Sequence, residues 1–146
     1  MKLSTKGEYA TRALLHLALQ HQRGGLITTD EIASQENIPR KYLEQILTTL
    51  KQGGLVRSRP GIGGGYHLAR PPEEISLGQV VRLMDGPLAP ISCVSRTAHQ
   101  HCPVEGSCGL RSVWEEVRNA VAQVLDNLTF ADVVQRTIHS APNWTI

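Results

Sequence analysis

The spacing of apolar positions predicts three helices in the first part of the chain. Apolar residues recur at helical spacing over residues 5–22, and a pair of glycines follows as a stop signal. Thr28 and Glu31 have the spacing of a capping box, which opens a short helix over residues 28–37. A proline starts a third, amphipathic helix over residues 39–52. The last two helices, joined by a tight turn, have the dimensions of a helix-turn-helix.

A glycine-rich hairpin follows these helices. Residues 55–58 and 65–68 are short strand candidates on either side of a turn with several glycines. A fourth helix begins with a second capping-box pair, Ser76 and Gln79, and ends at a Gly-Pro stop. The pattern therefore predicts a winged helix-turn-helix domain over residues 1–86, mostly α with a small two-stranded β wing.

The second part of the chain has a different pattern. Residues 87–109 show no periodicity and contain all three cysteines, a pattern typical of a loop that is either functional or disordered. We expect a long helix and a short terminal helix over residues 110–138, and a tail over residues 139–146. The long helix carries a heptad seam of nearly three repeats. The seam consists of Leu110, Trp114, Val117, Val121, Val124 and Leu128.

A seam of this kind needs a partner helix. It could pack against the first helix of its own domain, or pair with the same helix of a second subunit. Because the N-terminal unit is predicted to be complete by itself, the pattern favours a homodimer formed through a long C-terminal dimerisation helix.

Composition and charge narrow the class of protein. A chain of 146 residues can bury a core without disulfides, and 40% hydrophobic with 19% charged residues excludes disordered and collagen-like classes. The net charge is only +2, but residues 1–70 hold ten Lys and Arg against five acids, and residues 71–146 hold five against eight. A basic N-terminal half favours a polyanionic partner. Because the sequence has neither a run of ~18 apolar residues nor an apolar signal core, we expect a cytoplasmic protein that does not enter membranes.

The polar face of the third helix is the candidate reader of double-stranded DNA. A recognition helix exposes hydrogen-bonding side chains near its N-terminal end, within reach of base edges in the major groove. Glu44 could accept from cytosine N4 or be a solvated charge. The wing could be only a flexible turn. Alternatively, its glycines could let the wing tip lie close to the DNA backbone, with its arginines on phosphates or in the minor groove. The predicted DNA-binding residues are Arg40, Lys41, Tyr42, Glu44, Gln45, Thr49, Arg57, Arg59, Gly63 and Gly64.

The sequence offers no pattern typical of an enzyme. The glycine-rich turn does not satisfy G-x-G-x-x-G, because Tyr66 occupies the last position. Neither an activated serine motif nor a nucleophile with a spaced base and orienting group is present. We therefore expect a binding protein rather than a catalyst.

The three cysteines are candidate metal ligands. Cys93, Cys102 and Cys108 are spaced C-x8-C-x5-C among polar residues, and an odd number excludes a complete disulfide framework. Thiolates bind zinc and iron–sulfur clusters, and a ligated loop needs no hydrophobic core. The close C-x-x-C pairs of most structural zinc sites are missing, yet His99 or His101 would complete a Cys3His zinc site. From the residues alone, a cluster, zinc and redox-sensing free thiols all stay open.

Several motifs together resemble the Rrf-type winged-helix regulators typified by the iron–sulfur cluster regulator IscR and the nitric oxide sensor NsrR. The resemblance covers almost the whole chain. It implies a homodimeric bacterial transcription factor whose loop cysteines bind a 2Fe-2S or 4Fe-4S cluster that tunes its affinity for an operator. The motifs are residues 1–10, Tyr42-Leu-Glu-Gln-Ile46, Gly53-Gly-Leu-Val56, Gly63-Gly-Gly-Tyr66, and the cysteine loop followed by the helix of Trp114.

Two departures from that family's pattern affect the expected ligands. The interval between the first two cysteines is longer than is typical of IscR-like members. The position of their histidine ligand, three after the last cysteine, holds Arg111, which cannot coordinate because it keeps its proton. Candidate fourth ligands are Glu8, which matches an acidic ligand position of NsrR-like members, and His99 or His101. The alternative function is a zinc-bound or thiol-redox-sensing DNA-binding regulator, or a scaffold without a cluster.

Overall fold

The computed structural model describes residues 2–140. Within these residues the chain forms six α-helices and one two-stranded antiparallel hairpin. The mostly α prediction with a small β wing and a long C-terminal helix is confirmed. The elements are α1 (Thr5–His21), α2 (Thr29–Glu36), α3 (Arg40–Gln52), β1 (Val56–Arg59), β2 (Gly65–Leu68), α4 (Leu77–Asp85), α5 (Leu110–Asn127) and α6 (Phe130–Ser140). Short 3-10 turns lie at Pro72–Glu74, Ser92–Val94 and Glu105–Ser107.

Local side-chain bonds define the helix ends that the sequence predicts. The Thr28 hydroxyl accepts the N–H of Glu31 at 3.1 Å, which caps α2. Ser76 and Gln79 form the reciprocal capping box of α4, with distances of 3.2 and 3.0 Å. Asn37 ends α2 in the left-handed conformation, with φ of 53°. These termini depend only on neighbouring residues, which is why the sequence pattern locates them.

The wing is fastened to the segment that precedes α2. β1 and β2 pair antiparallel with Val56 opposite Leu68. Ile27 forms an isolated β-bridge with β2, because it exchanges two backbone hydrogen bonds with Tyr66 at 3.0 and 2.7 Å. A Cβ at Gly65 would lie 2.6 Å from the carbonyl oxygen of Ile27. The close approach therefore requires glycine at this position.

The hydrophobic core lies around α1, which contacts α3, α4 and α6. The apolar stripe of α3 is fully buried in it, as the helical spacing predicts. α6 adds Phe130 and Val134 to the same core. The core of the winged unit predicted over residues 1–86 thus also includes residues of α6, which the sequence pattern groups with the predicted dimerisation helix. The largest fully buried side chains include Leu14, Ile32, Leu43, Ile46, Leu47, Leu50, Ile75, Val80 and Phe130.

The chain returns to the start of α4 after the long excursion through α5. The N–H of Leu77 donates to the carbonyl of Leu128, and the N–H of Phe130 donates to the carbonyl of Ile75, both at 2.9 Å. Arg82 on α4 also makes a bidentate ion pair with Asp126 on α5, at 2.6 and 2.9 Å. These bonds hold the C-terminal end of α5 against α4.

The terminal helix is longer than the sequence pattern predicts. α6 continues to Ser140, so the predicted tail from residue 139 is wrong at its first two positions, and residues 141–146 lie outside the described residues. The Thr137 hydroxyl and the His139 ring bond to backbone carbonyls four residues earlier, which continues the helical turns. Within residues 2–140, no helix is both long and apolar enough to cross a membrane.

Candidate nucleic-acid interface and cysteine loop

α3 presents a polar face because its apolar face is fully buried. Lys41, Glu44 and Gln45 are exposed on the outward side, near the N-terminal end of the helix. Thr49 is half-buried and donates its hydroxyl to the carbonyl of Gln45 at 3.1 Å. These three residues are therefore the part of the predicted reading face that is exposed to solvent, although Glu44 also pairs with Arg40.

Tyr42 has a second role that the sequence does not reveal. Its ring packs edge-on against Tyr9 of α1, with the ring centroids 5.7 Å apart, and it is half-buried against the core. The contact depends on the angle between α1 and α3, so helical spacing alone could not indicate it. A substitution at Tyr42 would disturb packing as well as any contact with a ligand.

Arg40, at the start of α3, pairs with one carboxylate from the first turn of α2 and one from α3. Its Nε lies 3.0 Å from Asp30 Oδ1 and 3.4 Å from Glu44 Oε1. All three side chains are largely exposed, so these ion pairs are weak. They place the guanidinium near the predicted reading face and leave acidic oxygens beside it that would repel phosphates. Asp30 is missing from the sequence prediction because it meets Arg40 only through the fold.

The wing carries two exposed arginines, and one of them lies close to the start of α3. Arg57 and Arg59 are both exposed on β1, two residues apart on one strand face. The Lys51 amine donates to the Ser58 hydroxyl at 2.6 Å, which joins α3 to β1. A surface concavity of about 430 Å³ lies between α2, α3 and the wing, and Arg40 and Arg59 both line it. Of the residues predicted from sequence, Arg40 of α3 and Arg59 and Gly64 of the wing line this concavity.

The wing tip carries an apolar residue absent from the sequence prediction. Ile62 is fully exposed between Gly61 and Gly63, which have φ of 90° and 75°. Gly63 lies at this exposed tip, while Gly64 is half-buried at the base of the turn. Positive φ values favour glycine at the two positions that flank Ile62.

The three cysteines lie on the loop that connects α4 to α5. Cys93 is in a 3-10 turn, Cys102 precedes the next turn, and Cys108 lies just before α5. All three are half-buried free thiols. The loop is anchored to α5, because Arg118 donates to the carbonyl of the buried Val94 at 2.7 Å.

The two loop histidines share one carboxylate. Glu105 bonds to His101 Nδ1 at 2.9 Å and to His99 Nε2 at 3.2 Å. The hydrogen bond with His101, helped by a backbone bond at Cys102 and by His99, holds the pKa of Glu105 below its usual range, although desolvation opposes the shift. Each ring has a second nitrogen, so either histidine could bind a metal while its other nitrogen donates to Glu105. Glu105 is missing from the residues predicted from sequence.

The cysteine loop contains donor atoms that suit a soft metal, but these atoms do not converge on one point. Within residues 2–140, no three Cys, His, Asp or Glu side chains converge so that they could hold a metal ion. Arg111 keeps its Nε buried with no hydrogen-bond partner among the described residues. Glu8 is exposed in the first turn of α1, outside the loop. The chemistry of three thiols fits an iron–sulfur cluster or zinc, and the loop must rearrange before they share one.

α5 exposes an apolar stripe along its whole length. Every residue of α5 is exposed or half-buried within the protomer. Half of the predicted seam is exposed, with Leu110 at 60% and Val124 at 56%, whereas Trp114 is among the half-buried members. The remaining members divide the same way, Val117 exposed and Val121 and Leu128 half-buried. We define the outer stripe of α5 as the exposed apolar residues Leu110, Val113, Val117, Ala120 and Val124.

Comparisons with known proteins agree on one family. The family model Rrf2, described as an iron-dependent transcriptional regulator, matches residues 3–136. An rrf2-like helix-turn-helix regulator of Rhodobacter capsulatus is 38% identical over 137 residues, which cover 90% of this chain and 91% of that one.

Two solved structures are similar over nearly the whole chain. The structure of CymR, the global cysteine regulator of Bacillus subtilis, has a TM-score of 0.77 at 33% identity, and covers 93% of this chain and 98% of that chain. The structure of IscR from T. potens has a TM-score of 0.77 at 32% identity, and covers 97% of this chain and 92% of that chain. At this coverage neither similarity is confined to the winged unit.

Proposed function

We propose, from the premise that this chain belongs to the Rrf2 family of DNA-binding transcriptional regulators, that it acts as a homodimer whose operator affinity depends on an iron–sulfur cluster. Cys93, Cys102 and Cys108 would hold the cluster. The observation that carries this proposal is that three free thiols lie on one loop, and that the loop is bonded directly to α5.

The DNA-binding part of the proposal rests on the shared surface of α3 and the wing. Lys41, Glu44 and Gln45 would read base edges from the N-terminal end of α3. Arg57 and Arg59 would contact phosphates or the adjacent minor groove from β1. A dimer would place two such surfaces on the half-sites of a partly palindromic operator.

The dimer part rests on the outer stripe of α5. Five apolar residues at steps of three and four, all exposed in the protomer, form a continuous surface on one side of an 18-residue helix. A contiguous apolar surface of this kind typically marks an interface between proteins. An isologous pairing of two α5 helices would cover it by bringing the same stripe from each subunit together.

Coupling between loop and DNA would pass through residues that bond the loop to α5. Arg118 holds the carbonyl of Val94, and Arg96 donates to the Asn119 side chain at 3.1 Å. When bound, a cluster would supply an iron centre sensitive to redox state and to small reactive ligands. A ligand can shift a two-state equilibrium only by its differential affinity for the two states. In this proposal the two states differ in the arrangement of the cysteine loop, and the cluster would bind one arrangement more tightly than the other.

Direct thiol chemistry or zinc is the second candidate for the same loop. The observation that favours it is Arg111, which stands where IscR-like members carry a histidine ligand, together with the two histidines bonded to Glu105. A similar solved protein is titled a global cysteine regulator. Under this alternative the chain is still a DNA-binding regulator, and its cysteines respond without a cluster.

Anaerobic reconstitution with iron and sulfide distinguishes the two candidates. We expect the full chain to develop a sulfide-dependent visible chromophore and to bind iron and sulfide in stoichiometric amounts. Stoichiometric zinc binding without any such chromophore would replace the cluster with the zinc alternative. Duplexes selected from a random DNA library with this sample should contain an inverted repeat; selection of single half-sites would count against the dimer.

Gln45 provides the test of base reading. We expect Gln45→Ala to relax discrimination at one base pair of the selected operator by about 1–3 kcal/mol, because an amide that bonds to a base edge carries that much specificity. The salt dependence of binding should stay unchanged. Competition between operator duplexes with single substitutions measures the effect, and unaltered discrimination would exclude Gln45 from the reading face.

Arg59 provides the matched contrast. Arg59→Gln should weaken binding to all sequences almost equally and reduce the slope of log K against log salt by about one phosphate contact, if it contacts only phosphates. A change in preference for narrow minor grooves would instead place Arg59 in the groove. An unchanged salt slope with unchanged affinity would remove the wing from the interface.

A further inference from the structure

Three arginines from three different segments surround a small pocket. Arg82 of α4, Arg96 of the cysteine loop and Arg118 of α5 all line a pocket of about 150 Å³. Asp126 is the one carboxylate in this lining, and Arg82 already pairs with both of its oxygens at 2.6 and 2.9 Å. The pocket therefore has an excess of positive charge.

Arg96 and Arg118 meet at a neutral oxygen. Asn119 Oδ1 accepts from Arg96 Nη2 at 3.1 Å and from Arg118 Nε and Nη2 at 3.1 and 3.0 Å. Among residues 2–140, neither guanidinium has a carboxylate oxygen within 4.0 Å. Two cations that share one amide oxygen repel each other without compensation. An anion between them would remove that repulsion and satisfy the remaining N–H donors.

A buried hydroxyl lies in the same wall. Ser95 is only 7% exposed, and its oxygen accepts the N–H of Ala98 at 3.0 Å. Within the described part of the chain, the Ser95 hydroxyl proton is donated to no acceptor. Buried hydroxyls normally find an acceptor. Thr97 adds a second hydroxyl to the lining, so the pocket offers neutral donors beside the charged ones.

We propose that this pocket binds one small oxyanion, phosphate or sulfate, between Arg96 and Arg118. Ser95 donates its hydroxyl to the ion, and Arg82 adds positive potential from α4. A water needs roughly 10–15 Å³ of such a cavity, so 150 Å³ accommodates one hydrated tetrahedral ion. The bound ion ties the cysteine loop to α5, and the site involves neither the cysteines nor the surface of α3 and the wing.

Titration of the full chain with inorganic phosphate and with sulfate tests the site. Calorimetry is carried out without DNA or added metal, and sodium chloride keeps the ionic strength constant. We expect saturable binding to one site per chain for both ions. Arg96→Gln should weaken it by at least about tenfold, because it removes one of the two guanidiniums that hold the ion. Arg136→Gln, at an exposed arginine of α6 outside the pocket, should leave it unchanged.

Asn119→Asp gives an independent test that does not depend on removing an arginine. The substitution places a carboxylate where Arg96 and Arg118 converge and so supplies the missing negative charge. We expect it to abolish phosphate binding and to raise the unfolding temperature in chloride buffer.

Three titration results would each overturn the proposal by themselves. These are non-saturable binding by the unaltered chain, equal weakening by Arg136→Gln, and full phosphate affinity in Asn119→Asp. If Arg96→Gln weakens binding to duplex DNA while free phosphate and sulfate do not bind, the arginines contact DNA and the free-ion site is wrong. Because calorimetry is done without DNA or metal, its failure is distinct from failure of the proposed regulatory function.

Discussion

A glutamate at Val117 or Val124 is expected to convert the proposed dimer to a monomer. Both side chains belong to the outer stripe of α5 and are exposed in the protomer, so the change should not disturb the fold of the single chain. In a dimer each would bury an unpaired carboxylate, which costs several kcal/mol. Loss of the second reading surface removes the gain from bivalent binding, on the order of 100-fold or more in operator affinity.

Sedimentation of the protein and gel shifts with a selected duplex measure the two effects. Gln123→Glu is the matched control, because it adds the same charge at an exposed polar position of α5, outside the outer stripe. Circular dichroism should show the same helix content for all three variants. A dimer that persists in both Val117→Glu and Val124→Glu would move the interface away from α5.

Replacement of Cys93, Cys102 and Cys108 together by Ala is expected to abolish iron and sulfide binding. The difference in operator affinity between anaerobic and air-exposed protein should vanish with it, whichever sign that difference has in the unaltered chain. All three thiols are half-buried on a loop rather than in the core, so we expect the unfolding temperature to change little. Metal analysis, visible absorption and gel shifts under both conditions measure the result.

Ser107→Ala is the control, since it alters the same loop beside Cys108 without removing a thiol. An oxygen-dependent affinity that survives the triple substitution would exclude the cysteines as the sensor. Single changes Glu8→Gln, His99→Asn and His101→Asn then locate the fourth ligand: the variant that loses the chromophore identifies it. If all three variants keep the chromophore, none of these three residues is the fourth ligand.

Local signals account for most of the correct predictions about the fold. Helix caps at Thr28 and Ser76, the end of α2 at Asn37 and the stripe of α3 are all set by residues within one or two turns. The structure confirms these features because nothing in the tertiary packing competes with them. The hairpin follows for the same reason: its strands are adjacent in sequence and joined by a short turn.

Features that depend on distant contacts were not accessible from the sequence. Phe130 is apolar at the start of a short helix, and no spacing rule shows that it completes the core around α1. The pairing of Arg40 with Asp30 and the packing of Tyr42 on Tyr9 depend on angles between helices. The heptad seam of α5 likewise does not show which of its residues are covered within the protomer. Its spacing marks Trp114 and Val124 alike, although the first is half-buried within the protomer and the second is exposed.

The closure of the chain at Ile75–Phe130 has a consequence for how such proteins can diversify. Residues 86–129 leave the core at the end of α4 and return beside its start, where Leu77 bonds to Leu128 and Phe130 bonds to Ile75. The cysteine loop and α5 therefore form an insertion within one continuous core, with both ends anchored on the same short helix. A chimera that exchanges only residues 86–129, with Phe130 and α6 retained, should keep a folded DNA-binding unit and respond to the signal that the new segment senses. A fragment cut after residue 86 would instead lose Phe130 and leave a cavity in that unit.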